Sequence, residues 1–97
     1  MEEQDIQRTI LIYLKEQCIF HWRNNSGKKG KYTFGLKGSS DIIGILPNGR
    51  FLAIEVKYGK NKPSEDQVAF IKNINDNGGL AFVAYDLETV VKALDTN

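Results

Sequence analysis

The sequence predicts an α/β fold in which helices flank a mixed central sheet. Three observations predict it: apolar residues at helical spacing near the start, a strongly apolar hairpin in the middle, and a capped helix followed by a buried strand and another helix. The predicted order is helix, three strands, helix, strand and C-terminal helix. A chain of 97 residues is expected to form a single domain, residues 1–97.

The first predicted helix, residues 2–17, places Ile6, Ile10 and Leu14 along one face. Winding the chain at the helical period puts Glu3 over the middle of that apolar face. Two interpretations of Glu3 stay open at this point. Its carboxylate either points inward toward a functional site or lies in a frayed first turn, where the helix dipole favours an acid facing water.

Residues 18–23 are predicted to form a short strand, and residues 24–38 a loop or ribbon with four glycines and four lysines. The loop is long for so small a domain, and long loops are usually functional.

The next segment, residues 39–59, is predicted to be a β-hairpin of central strands covered on both faces. A type I turn over residues 46–49, with Gly49 left-handed, places Ile45 opposite Phe51. The same register places Asp41 opposite Glu55. A two-residue turn would instead move Asp41 to the other face.

Two further helices and a strand complete the predicted fold. Ser64 and Gln67 form a capping-box pattern at the start of a helix that ends at Gly78. A buried strand is predicted over residues 80–85, and Asp86 caps the final helix.

The hairpin register predicts that Asp41, Glu55 and Lys57 converge at one end of one sheet face. A salt-bridge cluster would leave one carboxylate unpaired, and two facing carboxylates repel each other unless a cation lies between them. Hard oxygen ligands favour Mg²⁺, with Mn²⁺ as a substitute, over zinc. His21, the only histidine, is expected to pack or hydrogen-bond locally.

The net charge is only +1, but basic residues are clustered in two regions that are predicted to contact DNA phosphates. An equally open interpretation is a solvated, lysine-rich loop. The candidate DNA-binding residues are Arg23, Lys28, Lys29, Lys31, Lys37, Lys60 and Lys62.

The remaining features indicate a cytoplasmic protein. A single cysteine excludes an internal disulfide, the N-terminus does not look like a signal peptide, and no apolar run is long enough for a membrane span.

Asp41 followed by Glu55-Val56-Lys57 resembles the D…(D/E)-x-K signature of the PD-(D/E)XK nuclease superfamily. The finer resemblance is to stand-alone VRR-NUC nucleases. It rests on the stretches "EQDIQRTILIYL", "WRNNSG", "GSSDIIGILPNGRFLAIEVK", "PSEDQVAFI" and "NGGLAFVA". The sequence departs from the superfamily pattern at Ser40, where proline is expected.

The resemblance implies a restriction-endonuclease-like αβββαβ core and a Mg²⁺-dependent DNA endonuclease. Its metal ligands would be Glu3, Asp41, Glu55 and the main-chain carbonyl of Val56. Lys57 would orient or deprotonate the attacking water, and Gln67 would contact the site or the phosphate.

The resemblance also implies a homodimer that acts on branched DNA such as four-way (Holliday) junctions. Two alternatives remain: a flap, nicking or weakly selective nuclease, and a non-catalytic nucleic-acid-binding module. By analogy, a small solitary domain of this kind suits a phage or mobile-element gene.

Overall fold

The computed structural model describes residues 2–24, 27–29 and 32–96, and it describes the side chains of these residues except those of 27–29 and 32–34. The helices are α1 (Glu3–Glu16), α2 (Glu65–Asp76) and α3 (Leu87–Asp95). The strands are β1 (Phe20–Arg23), β2 (Gly27–Lys29), β3 (Tyr32–Phe34), β4 (Ile42–Ile45), β5 (Phe51–Val56) and β6 (Leu80–Ala84).

The four-stranded sheet is mixed, as the sequence predicts. Its strand order is β1-β4-β5-β6, with β4 antiparallel to β1 and β5, and β6 parallel to β5. A parallel pair needs a crossover connection, and α2 supplies it. The predicted ribbon is present as the separate antiparallel pair β2 and β3.

The hairpin register is the predicted one. Ile45 pairs with Phe51 and Ile43 with Ala53. The Gly49 N–H donates to the Leu46 carbonyl at 2.8 Å, and Gly49 is left-handed with φ 89°. The longer turn therefore forms, and Asp41 stays on the same face as Glu55.

The end of α1 makes the first strand shorter than predicted. Cys18 adopts a left-handed conformation with φ 57°, and its N–H donates to the Lys15 carbonyl at 3.0 Å. The Ile19 N–H donates to the Leu14 carbonyl at 3.0 Å. This is the hydrogen-bond pattern of a Schellman cap, so the strand begins only at Phe20.

The two faces of the sheet are covered unequally. One face packs against α1 and α3 in a core that contains Ile10, Leu52 and Ile54. The other face packs against α2 through a smaller cluster of Ile43, Ala53 and Ala81.

The prediction that both faces of the hairpin are covered was therefore right only in part. Ile45 and Phe51, next to the turn, are 42% and 38% exposed. A single helix covers their face and leaves the end near the turn open. Within the described residues, no helix is long and apolar enough to cross a membrane.

Candidate active site

Asp41 lies immediately before β4 and reaches across to the end of β5. Its Oδ2 accepts a hydrogen bond from the Val56 N–H at 2.8 Å. Val56 is the last residue of β5, so this bond continues the contact between the two strands beyond the paired residues. It holds the Asp41 carboxylate beside Glu55.

Glu55 is the buried carboxylate of the site, with only 2% of its surface exposed. Its Oε2 accepts a hydrogen bond from Gln67 Nε2 at 3.1 Å and lies 3.6 Å from Lys57 Nζ. Its Oε1 is buried and has no hydrogen-bond partner among the described residues. One oxygen of this carboxylate is thus paired and the other lacks a donor.

The environment of Glu55 raises its pKa to about 8. Burial is the largest cause, and the nearby Asp41 carboxylate adds to it through its negative charge and as an acceptor for the proton of the neutral Glu55 acid. Lys57 acts in the opposite direction but does not offset these two effects. Without a cation, the Asp41–Glu55 pair therefore tends to retain a proton.

Gln67 serves both α2 and the site. Its Oε1 accepts from the Ser64 N–H at 2.8 Å, and its own N–H donates to Ser64 Oγ at 3.2 Å, so the predicted capping box is present. Its Nε2 remains available and donates to Glu55. The capping geometry orients the amide so that its donor end faces Glu55.

The other two predicted metal ligands, Val56 and Glu3, do not place a side chain beside Asp41 and Glu55. The Val56 side chain is buried in the core of the opposite sheet face, which leaves only its main chain for the site. Glu3 is exposed in the first turn of α1. Within the described residues, no three His, Cys, Asp or Glu side chains form a group that could hold a metal ion. Glu3 does not join Asp41 and Glu55 in such a group.

His21 makes the local contact that the sequence predicts. Its Nδ1 lies 2.7 Å from the Ile19 carbonyl oxygen, which can only accept a hydrogen bond. The Nδ1 therefore carries the proton and donates to that carbonyl.

The predicted DNA-binding residues do not all lie in one place. Arg23 lines a hollow of about 290 Å³ together with Gln4, Gln7, Arg8 and Leu11 of α1. Lys37 is exposed and pairs with Asp66 at the start of α2. Lys60 and Lys62 are exposed between β5 and α2. The side chains of Lys28 and Lys29, and the whole of Lys31, lie outside the described residues.

The sequence interpretation missed two residues, one in the hollow beside Arg23 and one next to the site. Arg8 shares the hollow with Arg23, but nothing local in the sequence distinguishes it from an ordinary solvated helix residue. Asn24 follows β1 and hydrogen-bonds to the segment that leads into Asp41. Its partners lie at least 15 residues away, so no short-range pattern could reveal it.

The arrangement places two carboxylates, one ammonium group and one amide donor at the end of a single sheet face. Carboxylate oxygens suit a hard divalent cation, and Mg²⁺ is commonly bound through only one or two carboxylates. The 16%-exposed Lys57 side chain keeps some contact with solvent. Such a site can bind a cation and stabilise negative charge beside it.

The comparisons with known proteins point to one domain family. The family model described as the VRR-NUC domain matches residues 1–86. The chain is similar to a solved structure described as "VRR_NUC domain", with a TM-score of 0.71, 20% identity, and coverage of 96% of this chain and 94% of that one. A second, "VRR_NUC domain protein", has a TM-score of 0.71, 19% identity and coverage of 98% and 86%. No curated protein matches the chain.

Proposed function

The chain belongs to the VRR-NUC domain family, a family of DNA nucleases, and from that premise we propose that it is a Mg²⁺-dependent endonuclease that cuts branched DNA. The observation that carries the proposal is the convergence of Asp41, Glu55 and Lys57, with one buried carboxylate oxygen left without a donor.

The residues present fit a divalent cation. Two carboxylates side by side, one of them buried and with a pKa raised to about 8, need either a shared proton or a cation. Asp41 and Glu55 would hold Mg²⁺, together with the main-chain carbonyl of Val56. Mn²⁺ would substitute because it prefers the same oxygen ligands. Glu3 remains a ligand predicted from the resemblance, directly or through water.

When bound, the cation would polarise a phosphoryl oxygen and lower the pKa of a nearby water. Lys57, whose Nζ lies 3.6 Å from Glu55 Oε2, would orient or deprotonate the attacking water and offset negative charge on the phosphoryl group. Gln67 holds Oε2 of Glu55, so the other oxygen of Glu55 would be available to bind the cation. Hydrolysis joins the water oxygen to phosphorus and breaks the bond to the leaving oxygen.

The preference for branched DNA and the homodimer belong to the same proposal. A two-fold dimer presents two active sites to the symmetric strands of a four-way junction. An exposed apolar surface supports the dimer: Phe20, Trp22, Ile45 and Phe51 lie on the face of the sheet that carries Glu55. The basic residues Arg23, Lys37, Lys60 and Lys62, together with Lys28, Lys29 and Lys31, would contact phosphates.

The test is cleavage of labelled four-way junction, flap, splayed-arm, duplex and single-stranded DNA in Mg²⁺, Mn²⁺ or EDTA. We expect metal-dependent cuts placed symmetrically across the junction. Glu55→Gln and Lys57→Ala should each lower the rate by about 100-fold or more, because each removes a group that acts on the reacting atoms. Glu3→Gln tests the predicted third carboxylate.

Matched controls lie outside the site. Lys72 pairs with Asp76 in α2, and Glu88 pairs with Lys92 in α3. We expect the Lys72→Ala and Glu88→Gln variants to cleave DNA at close to the wild-type rate. Cuts confined to flaps, or single unpaired nicks, would favour the flap or nicking alternative. Binding of these DNAs without cleavage in either metal would refute the nuclease and favour a binding module.

A further inference from the structure

Asn24 makes three hydrogen bonds to the three successive residues that end in Asp41. Its main-chain N–H donates to the Asp41 carbonyl at 2.7 Å. Its side-chain Nδ2 donates to Ser39 Oγ at 2.7 Å and to the Ser40 carbonyl at 3.1 Å. One half-buried residue that follows β1 thus binds all three residues of the segment that leads into the candidate active site, two through its side chain and one through its main chain.

We propose that Asn24 is a positioning residue for the Asp41 carboxylate, an inference that rests on the proposed nuclease function. Ser39 and Ser40 precede β4, which begins only at Ile42, so they lie outside its paired residues. They are also buried, with 9% and 1% of their surfaces exposed. Without the Asn24 amide, a buried hydroxyl and a buried carbonyl would each lose a donor.

The same contacts oppose the repulsion between the two carboxylates. The register of β4 and β5 places the Asp41 and Glu55 carboxylates on the same sheet face, and neighbouring carboxylates repel each other when both are ionised. Asn24 holds the main chain of Asp41 from β1, and Val56 holds its carboxylate from β5. Asp41 is thereby fixed from both sides, with its carboxylate on the same sheet face as Glu55.

The amide group suits this task because one nitrogen carries two N–H donors that reach two acceptors. Alanine at position 24 removes both side-chain bonds and leaves the main-chain bond to Asp41. The substitution Asn24→Ala therefore loosens residues 39–41 while the strand pairing of β1 and β4 remains.

The main-chain amide of Val56 reports the placement of Asp41 without any metal or DNA. It donates to Asp41 Oδ2, whereas the next amide, of Lys57, donates to the Ala84 carbonyl at 3.0 Å. In hydrogen exchange followed by NMR, we expect Asn24→Ala to speed exchange at Val56 about tenfold relative to Lys57. The ratio between two neighbouring amides cancels a general loss of stability.

Asn75 provides a matched control. Its Nδ2 donates to the Ala81 carbonyl at 3.0 Å and its Oδ1 accepts from the Ala81 N–H at 2.9 Å, which links α2 to β6. Asn75→Ala also removes a side chain that bonds to the main chain, so it should lower stability without changing the Val56 to Lys57 ratio. An equal ratio in Asn24→Ala, Asn75→Ala and wild type would overturn the proposal.

DNA cleavage and Mg²⁺ binding provide a second measurement of the role of Asn24. Asn24→Ala should lower kcat for DNA cleavage about tenfold with little change in KM, and reduce the rise in Tm that Mg²⁺ produces. A raised KM with unchanged kcat would contradict a positioning role. If wild type cuts no DNA, the nuclease proposal fails, while the exchange ratio still decides the role of Asn24.

A milder variant keeps the test informative if Asn24→Ala does not fold. Ser39→Ala removes only one of the two acceptors of the Asn24 side chain. We expect a smaller change of the exchange ratio in the same direction, and an unchanged ratio in a folded Ser39→Ala protein would count against the proposal.

Discussion

Glu55 links the stability of this protein to pH. In the folded state its pKa is raised from 4.5 to about 8, chiefly by burial and then by Asp41. The folded protein without a cation therefore retains a proton that the unfolded chain releases at lower pH. A group of this kind stabilises the fold below its unfolded pKa, and that contribution is lost as the pH rises through the folded value.

We therefore expect the free energy of unfolding of the metal-free protein to fall as the pH rises from about 4.5 to about 8. Urea denaturation in EDTA at about pH 5 and about pH 8.5 measures it. Glu55→Gln should flatten this dependence, since glutamine does not titrate, and Glu88→Gln should leave it unchanged. The prediction is wrong if Glu55→Gln and wild type lose the same stability over this range.

The stabilisation that Mg²⁺ produces should have the opposite dependence on pH. On the proposed function, a cation held by Asp41 and Glu55 would bind best once the retained proton is gone, so the rise in Tm on adding Mg²⁺ should increase with pH. Thermal melts of wild type at fixed Mg²⁺ and several pH values test this.

Individual residues of the site differ in how far the sequence predicts them. Asp41, Glu55 and Lys57 follow from the turn, because alternation along two strands of known register decides which side chains share a face. Asn24 does not follow from the sequence, because its role depends on hydrogen bonds to residues 39–41 that only the pairing of β1 with β4 brings near.

At the scale of elements, the first turn of α2 joins helix capping to the site. Ser64 and Gln67 satisfy each other's main-chain amides, and the spare Nε2 of Gln67 donates to Glu55. The capping box is visible in the sequence, but the contact with Glu55 requires α2 to pack across the end of β5.

Two substitutions separate these two tasks. Ser64→Ala should cost about 1 kcal/mol of stability through the lost cap and leave cleavage near the wild-type rate. Gln67→Ala should cost a similar amount and also lower cleavage, because it removes the donor to Glu55. Urea denaturation and cleavage rates measure the two effects. Equal cleavage by the two variants would show that Gln67 acts only as a cap.

At the scale of the whole molecule, the most exposed apolar surface of the sheet lies on β1, β4 and β5. Phe20 is 66% exposed and meets the ring of Trp22 edge-on, with ring centroids 5.6 Å apart. Phe20 pairs with Ile45, which pairs with Phe51, so these side chains form a row across three strands. Contiguous apolar surface of this kind is typical of an interface.

We expect wild type to be a dimer through this surface and the double variant Phe20→Ser, Trp22→Ser to be a monomer. Both positions are exposed, so the substitutions remove apolar contact area without opening the core. Light scattering after size-exclusion chromatography measures the mass. Ile12→Ser, which changes an exposed apolar residue of α1, is the control and should remain dimeric. A monomeric wild type, or a dimeric double variant, would contradict this prediction.

Local patterns along the chain are enough to predict the order of the main elements, the hairpin register and the grouping of Asp41, Glu55 and Lys57. These depend on local rules of turn geometry, strand alternation and helix capping, which act over a few residues. Only the folded chain reveals that Gln67 reaches Glu55, that Asn24 holds the segment before Asp41, and that one helix leaves part of a sheet face open. These depend on contacts between elements distant in the chain, whose packing no local pattern encodes.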